Sequence, residues 1–187
     1  MRSALFAVDR VSALVGKTVG WAVLLLTIIV TYDVVLRKFF SAPTTWAYDV
    51  SYMLYGTLFM LSGAYTLARA AHVRGDTIYR TLSPRAQATI DLVLYFLFFL
   101  PGIAALVWSG FQFAEFSMRF NERSASSPGG PIIWPYKFVI PVAATLLLVQ
   151  GVVEIIRCVQ CIRDGQWPAR LADVEETETR LAREEQF

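Results

Sequence analysis

With 187 residues, 56% of them hydrophobic and only 17% charged, the chain carries less charge than the about 25% normal for a soluble domain of this length, which argues against a water-soluble globular fold. Its net charge of +2, single histidine and two cysteines give no basis for a nucleic-acid partner, a bis-histidine haem or a multi-cysteine metal cluster.

The charges are gathered between four uncharged stretches, Thr18–Tyr32, Val50–Ala68, Leu92–Ala114 and Phe138–Val153. A helix that crosses a bilayer needs about 20 apolar residues, with about 17–25 observed. Val50–Ala68 and Leu92–Ala114 meet this unaided. The first run meets it as Val19–Leu36, with one acid inside, and the last as Trp134–Ile156, with Lys137 and Glu154 inside. None of the runs alternates with a period of two, so barrel strands are excluded. The predicted fold class is an all-α membrane protein with four transmembrane helices. Residues 1–17 form a cytoplasmic leader, 18–162 the transmembrane domain and 163–187 a polar cytoplasmic tail. Met1–Lys17 reads as a short leader into a retained first helix rather than a cleaved signal, because Asp9 and Lys17 interrupt the region before the apolar run and no small-x-small cleavage site follows it before Asp33.

In the first connection, about Arg37–Thr45, Pro43 and Thr44 mark a turn and the start of the second helix. In the second, Asp76 is placed to cap a short TIYRTL segment. Ser83 and Pro84 then supply an N-cap and a first-turn proline. A helix from Pro84 to Met118 would be about 52 Å long, beyond the about 30 Å of a hydrocarbon core. Tilt, a bend near Pro101-Gly102, or an in-plane start would accommodate it. An interfacial amphipathic segment before the third helix is expected, because Arg80 and Arg85 suit anionic headgroups. The third connection contains the loop SASSPGGP, Ser124–Pro131. The tail Ala169–Phe187 is acidic and reads as solvated.

Orientation follows from the basic residues. The leader, second connection and tail hold twelve; the first and third connections hold five. Basic residues stay on the cytoplasmic side, so both termini are expected inside. Tyr32, Phe39, Phe40, Trp46, Tyr48, Phe116, Phe120, Trp134 and Tyr136 gather at the opposite helix ends, as interfacial aromatics do.

Several ionisable groups lie in or beside the apolar runs, where charge is expensive and normally faces protein or water. Asp33 and Arg37 are four apart and can pair. Asp49 opens the second helix, three residues after Trp46. Gln150, Glu154 and Arg157 share a face of the last helix. Arg69, His72 and Asp76 share a face if the second helix continues that far, with Arg74 beside them. These groups are scattered over three helices and do not converge on a transport site. Such a distribution suits a protein that docks against a larger partner. No nucleophile motif or phosphate-binding loop is present, and no catalytic residue, metal ligand or cofactor is assigned. Cys158 and Cys161 form CVQC at a cytoplasmic helix end. A reducing compartment and the lack of further cysteines favour simple packing over redox chemistry.

With these residues in view, the chain resembles the small membrane subunit, the DctQ-like or Q component, of tripartite ATP-independent periplasmic (TRAP) transporters. The matching segments are YDVVLRKFF (Tyr32–Phe40), WAYD (Trp46–Asp49) and GAYTLARAAHVRGD (Gly63–Asp76), within about Val19–Ile162. Asp49 stands where the family usually has Glu, and Gly75 where an apolar residue is usual. The resemblance implies a bacterial inner-membrane protein. It implies as partners a large permease subunit, which carries an organic acid and binds the sodium ions, and a periplasmic substrate-binding protein. Membrane lipids are the remaining partner. The small subunit would support the large one and help present a docking surface, without chemistry of its own. A membrane thiol oxidoreductase using CVQC and an autonomous small transporter are the alternatives.

Overall fold

The computed structural model describes residues 2–69, 79, 81–127 and 129–168, and it is helical nearly throughout. In chain order the helices are α1 (Arg2–Gly20), α2 (Ala22–Phe39), α3 (Ala47–Ala68), α4 (Pro84–Leu94), α5 (Leu100–Arg119), α6 (Trp134–Lys137) and α7 (Val139–Asp164). A π-helical turn, Tyr95–Phe99, joins α4 to α5 without a break. Local chemistry accounts for several of these limits. Ser83 caps α4 by accepting from the Ala86 N–H, with Pro84 in the first turn, as the sequence predicts. Gly165 ends α7 in the left-handed conformation, φ 78°, and its N–H donates to the Cys161 carbonyl.

The helix from Pro84 to Arg119 is continuous through Pro101-Gly102. Its irregularity falls one turn earlier. Pro101 cannot donate to the carbonyl of Leu97, and the preceding turn widens so that the Leu100 N–H bonds Tyr95 instead. The first part is held alongside α7 by burial: Ala88 packs on Cys158 and Cys161, with Leu92, Tyr95, Ile162 and Trp167 around them. From Arg2 on, the stretch expected as a leader, residues 1–17, falls within α1, which packs against α3 and α7. Leu5, Asp9, Ser12 and Gly16, on one stripe at helical spacing, are its buried positions.

The packing order is a row. The α1–α2 stretch lies along α3, α3 along α7, and α7 along α4–α5, while α1 also reaches past the end of α3 onto α7. No more than marginal contact joins α3 or α1–α2 to α4–α5 among the described residues. Leu147 of α7 sits over Gly63, and Tyr136 over Gly56, so α3 and α7 run parallel; the outer helices run antiparallel to both. Among the described residues, three helical stretches are long and apolar enough to cross a membrane: Leu5–Phe39, Pro84–Arg119 and Trp134–Asp164. Helix α3 is shorter, 22 residues, and carries more Tyr, Ser, Thr and Gly. Large apolar side chains stay exposed along the row, including Leu24 and Ile28 on α2, Tyr55 and Phe59 on α3, and Phe98 and Trp108 on α4–α5. Even α7, with neighbours on both sides, exposes a valine stripe, Val142, Val149, Val152 and Val159.

The contact between α7 and the π-turn depends on Gly151, where a Cβ would collide with the Phe99 ring. Gly151→Ala is expected to destabilise the fold by about 1–3 kcal/mol, as overpacking does. Adding Phe99→Leu should restore part of that loss, with a coupling of about 0.5–3 kcal/mol. Thermal unfolding of the two single variants and the double in detergent measures it.

Candidate functional site

The most deeply buried large side chains are polar: Arg157, Gln150, Glu154, Asp9 and Asp49. The first four form one network between α1 and α7. Gln150, Glu154 and Arg157 recur at helical spacing along α7, and Asp9 and Ser12 face them from α1. Ser12 Oγ donates to Gln150 Oε1 at 2.9 Å, and Gln150 Nε2 donates to Asp9 Oδ1 at 2.9 Å. Arg157 then bridges the two acids, with Nη2 donating to Asp9 Oδ2 and Nη1 to Glu154 Oε1 at 2.5 Å. Arg157 is 1% exposed, and both carboxylates are as well hidden. The guanidinium is suited to this place, because its planar fork holds two carboxylates in fixed directions.

At the opposite end of the row, acids hold the connections. Asp33 pairs with Arg37 at 2.6 Å and also accepts from the Thr44 N–H at 3.0 Å and the Thr44 hydroxyl, tying the first connection back to α2. Trp46 stacks on Tyr32, with ring centroids 6.4 Å apart. Asp49, in the first turn of α3, is fully buried and accepts from Ser124 Oγ at 2.5 Å and from Ser127 Oγ. A carboxylate there is also favoured by the positive end of the helix dipole. The third connection is folded back on itself: Ser124 N donates to Pro131 O at 2.9 Å, and Ile133 N to Glu122 O at 3.0 Å. Lys137 bonds Glu122 at 2.5 Å, and this above all lowers the Glu122 pKa from its ordinary value. A depressed carboxyl contributes stability above its ordinary range and loses it as the pH falls through the lowered value.

The sequence-predicted residues therefore separate into groups. Gln150, Glu154 and Arg157 meet in one network, while Asp33, Arg37, Trp46 and Asp49 lie at the far end. The hydrogen bonds of Asp49, Gln150, Glu154 and Arg157 are made within the chain. Arg69 caps α3 and lies over the Tyr65 ring, 5.1 Å from its centroid. His72, Arg74 and Asp76 lie outside the described residues. Sequence reasoning missed Asp9 and Ser12 as members of the network. Their spacing from Leu5 and Gly16 was the available signal. Cys158 and Cys161 are buried in the apolar packing against α4, and Cys161 Sγ lies 3.5 Å from the Pro84 carbonyl oxygen. No group of three or more metal-binding side chains occurs among the described residues.

Among the described residues, this arrangement is a set of intramolecular ties near both ends of the long helices. A family profile, tripartite ATP-independent periplasmic transporters, DctQ component, matches residues 26–161. The chain belongs to the DctQ family. It is therefore a TRAP transporter small permease subunit and a membrane protein, in a family of transporter components rather than enzymes. No curated protein matches the chain. The matched segment of the DctQ profile covers α2 through most of α7, and it holds three of the four large members of the ionic network but not Asp9.

Arg157→Met leaves two buried acids facing each other, and breaking a buried pair in this way costs about 3–5 kcal/mol. Loss of folded protein from membranes is expected. Combining it with Asp9→Asn and Glu154→Gln removes both charges and should recover most of the loss. Thermal unfolding of detergent-solubilised protein distinguishes the two.

Proposed function

We propose that the chain is the small subunit of a bacterial inner-membrane transporter for organic acids. In this role it supports a large sodium-coupled permease subunit and the docking of a periplasmic binding protein. The substrate and the sodium ions pass through the large subunit. Four helices cross the membrane: α1–α2, α3, α4–α5 and α7. The observation that carries the reading is the row itself, with polar groups tied inside and apolar side chains left exposed along its length. Such a slab is suited to lie against a larger membrane protein and extend its lateral surface. Helix α3 is flanked by α1–α2 and α7, and Ser51, Thr57, Tyr65 and Thr66 are partly covered while Tyr48 and Tyr55 stay exposed. At about 33 Å, its 22 residues match a hydrocarbon core of about 30 Å.

In the proposed orientation both termini are cytoplasmic, as the distribution of basic residues supports. The first and third connections then face the periplasm, and Asp33, Trp46 and Asp49 hold the surface next to the binding protein. Arg69, His72, Arg74 and Asp76, which follow α3 in the chain on the cytoplasmic side, serve to fix α3 against the large subunit or the adjacent headgroups. Thiol redox chemistry has no supporting observation, since both cysteines pack against α4.

Two experiments test this. In intact cells, a cysteine introduced by Ser126→Cys should react with an impermeant thiol reagent, and one in the tail should not; the reverse pattern overturns the orientation. Co-expression with the large subunit tests the role. Asp76→Ala should lower the recovered complex by about ten- to a hundredfold, the equivalent of one or two charged hydrogen bonds. His72→Gln should act more mildly, because an amide still donates and accepts. Uptake per complex should stay unchanged. Full assembly with abolished uptake would overturn the supporting role.

A further inference from the structure

Beside the ionic network, a half-open cavity of about 310 Å³ lies between α1 and the end of α3. Arg10, Lys17 and Arg69 bring three cations to its wall, with Ala13, Leu14 and Ala68 between them. Asp9 closes the back, but its carboxylate is engaged by Arg157 and Gln150 and is 1% exposed. Among the described residues, none of the three cations has a carboxylate within ion-pair distance. Among the described residues, the Arg69 guanidinium contacts the Tyr65 ring and no carboxylate.

The apolar residues around these cations are as informative as the charges. Arg10, Leu14, Lys17, Trp21, Leu24, Leu25 and Ile28 recur at intervals of three and four, so they form one continuous stripe along α1–α2. Leu14 is 67% exposed between the two basic residues, and Trp21 is 68% exposed one turn beyond Lys17. Leu24, Leu25 and Ile28 continue the track, all exposed. From Lys17 to Ile28 the helix rises about 16 Å, close to half of a hydrocarbon core of about 30 Å. A free inorganic anion would use the cations and leave the track unexplained. A molecule with an anionic head and a long apolar tail uses both.

We propose that this notch binds the phosphate of an anionic phospholipid, with an acyl chain laid along the stripe from Leu14 to Ile28. Arg10, Lys17 and Arg69 take the headgroup phosphate, and Trp21 lies at the level where headgroup gives way to chain. The site rests on the chain lying in a membrane and is independent of the orientation and partner role proposed above.

The test uses the purified full chain in neutral detergent, titrated with phosphatidylglycerol, phosphatidylcholine or inorganic phosphate and followed by native mass spectrometry. Phosphatidylglycerol should be retained in preference to phosphatidylcholine. The triple variant Arg10→Gln, Lys17→Gln, Arg69→Gln should lower phosphatidylglycerol affinity about a hundredfold, each cation near a lipid surface contributing about fivefold. Leu14→Gln should weaken the lipid and leave any inorganic phosphate binding unchanged. If the triple variant fails to fold, Arg10→Gln alone carries the test, because Arg10 lies on the exposed side of α1, and a fivefold loss is expected. Equal retention of the two lipids, unchanged affinity in Arg10→Gln, or displacement of the lipid by millimolar inorganic phosphate would each overturn the proposal. The last outcome would make the notch a site for a free anion. Failure of the transport or topology experiments leaves this result unaffected, so the two readings stand or fall separately.

Discussion

A single row of helices can hide polar atoms only in the seams between neighbours, and the rest of this structure follows from that constraint. Lipid offers no water to satisfy a stray donor, so every buried charge must find its partner within a seam. Arg157 meets the requirement by standing between Asp9 and Glu154 where α1 reaches onto α7. The arrangement makes α1 a structural member of the row: without Asp9, the guanidinium would keep one carboxylate partner in place of two. Gln150 extends the tie by donating to Asp9 and accepting from Ser12, so Asp9, Gln150 and Arg157 each serve two neighbours.

The middle and the ends of the row are held by different forces. In lipid, helices gain little from the hydrophobic effect, so association rests on close packing and hydrogen bonds. Between the ends, small residues receive large ones: Gly63 faces Leu147, Gly110 faces Ile140, and Gly151 faces Phe99. At one end the tie is ionic, between α1 and α7. At the other, Asp33 and Asp49 hold two connections by accepting from Thr44, Ser124 and Ser127. Asp49, in the first turn of α3, accepts from hydroxyls there, whereas Asp33 also pairs with the exposed Arg37.

What could be read from sequence was what is local. The apolar runs mark the helices, Ser83-Pro84 marks a start, and the Asp33–Arg37 spacing marks a pair on one helix face. The common face of Gln150, Glu154 and Arg157 was legible for the same reason. Asp9 was not, because its partner Arg157 is 148 residues away and no periodicity links them. The π-turn escaped because its cause, Pro101, acts on the turn before it rather than at its own position. The row escaped most fully. Four apolar helices fit a closed bundle or an open layer equally well by pattern, and the difference lies in which seams have small residues and matching charges.

An open layer held by ionic ties differs from a loose one in how it can associate. The charges of the α1–α7 seam are committed inside, so side chains such as the valine stripe of α7 and the aromatics of α3 and α5 remain to meet lipid or a transporter partner. Contacts of that kind are weak one by one in a membrane, because lipid tails are as apolar as the partner. They become selective only if many are made at once with a fixed shape, which requires that the helices not shift against one another on binding. The network supplies that fixity. Rotating α7 enough to re-aim its valines would carry Arg157 away from Asp9 and leave unpaired charge in a seam that water does not reach. The buried ions thus do not contribute attraction toward a partner; they lower the cost of binding by setting the apolar surface before the partner arrives.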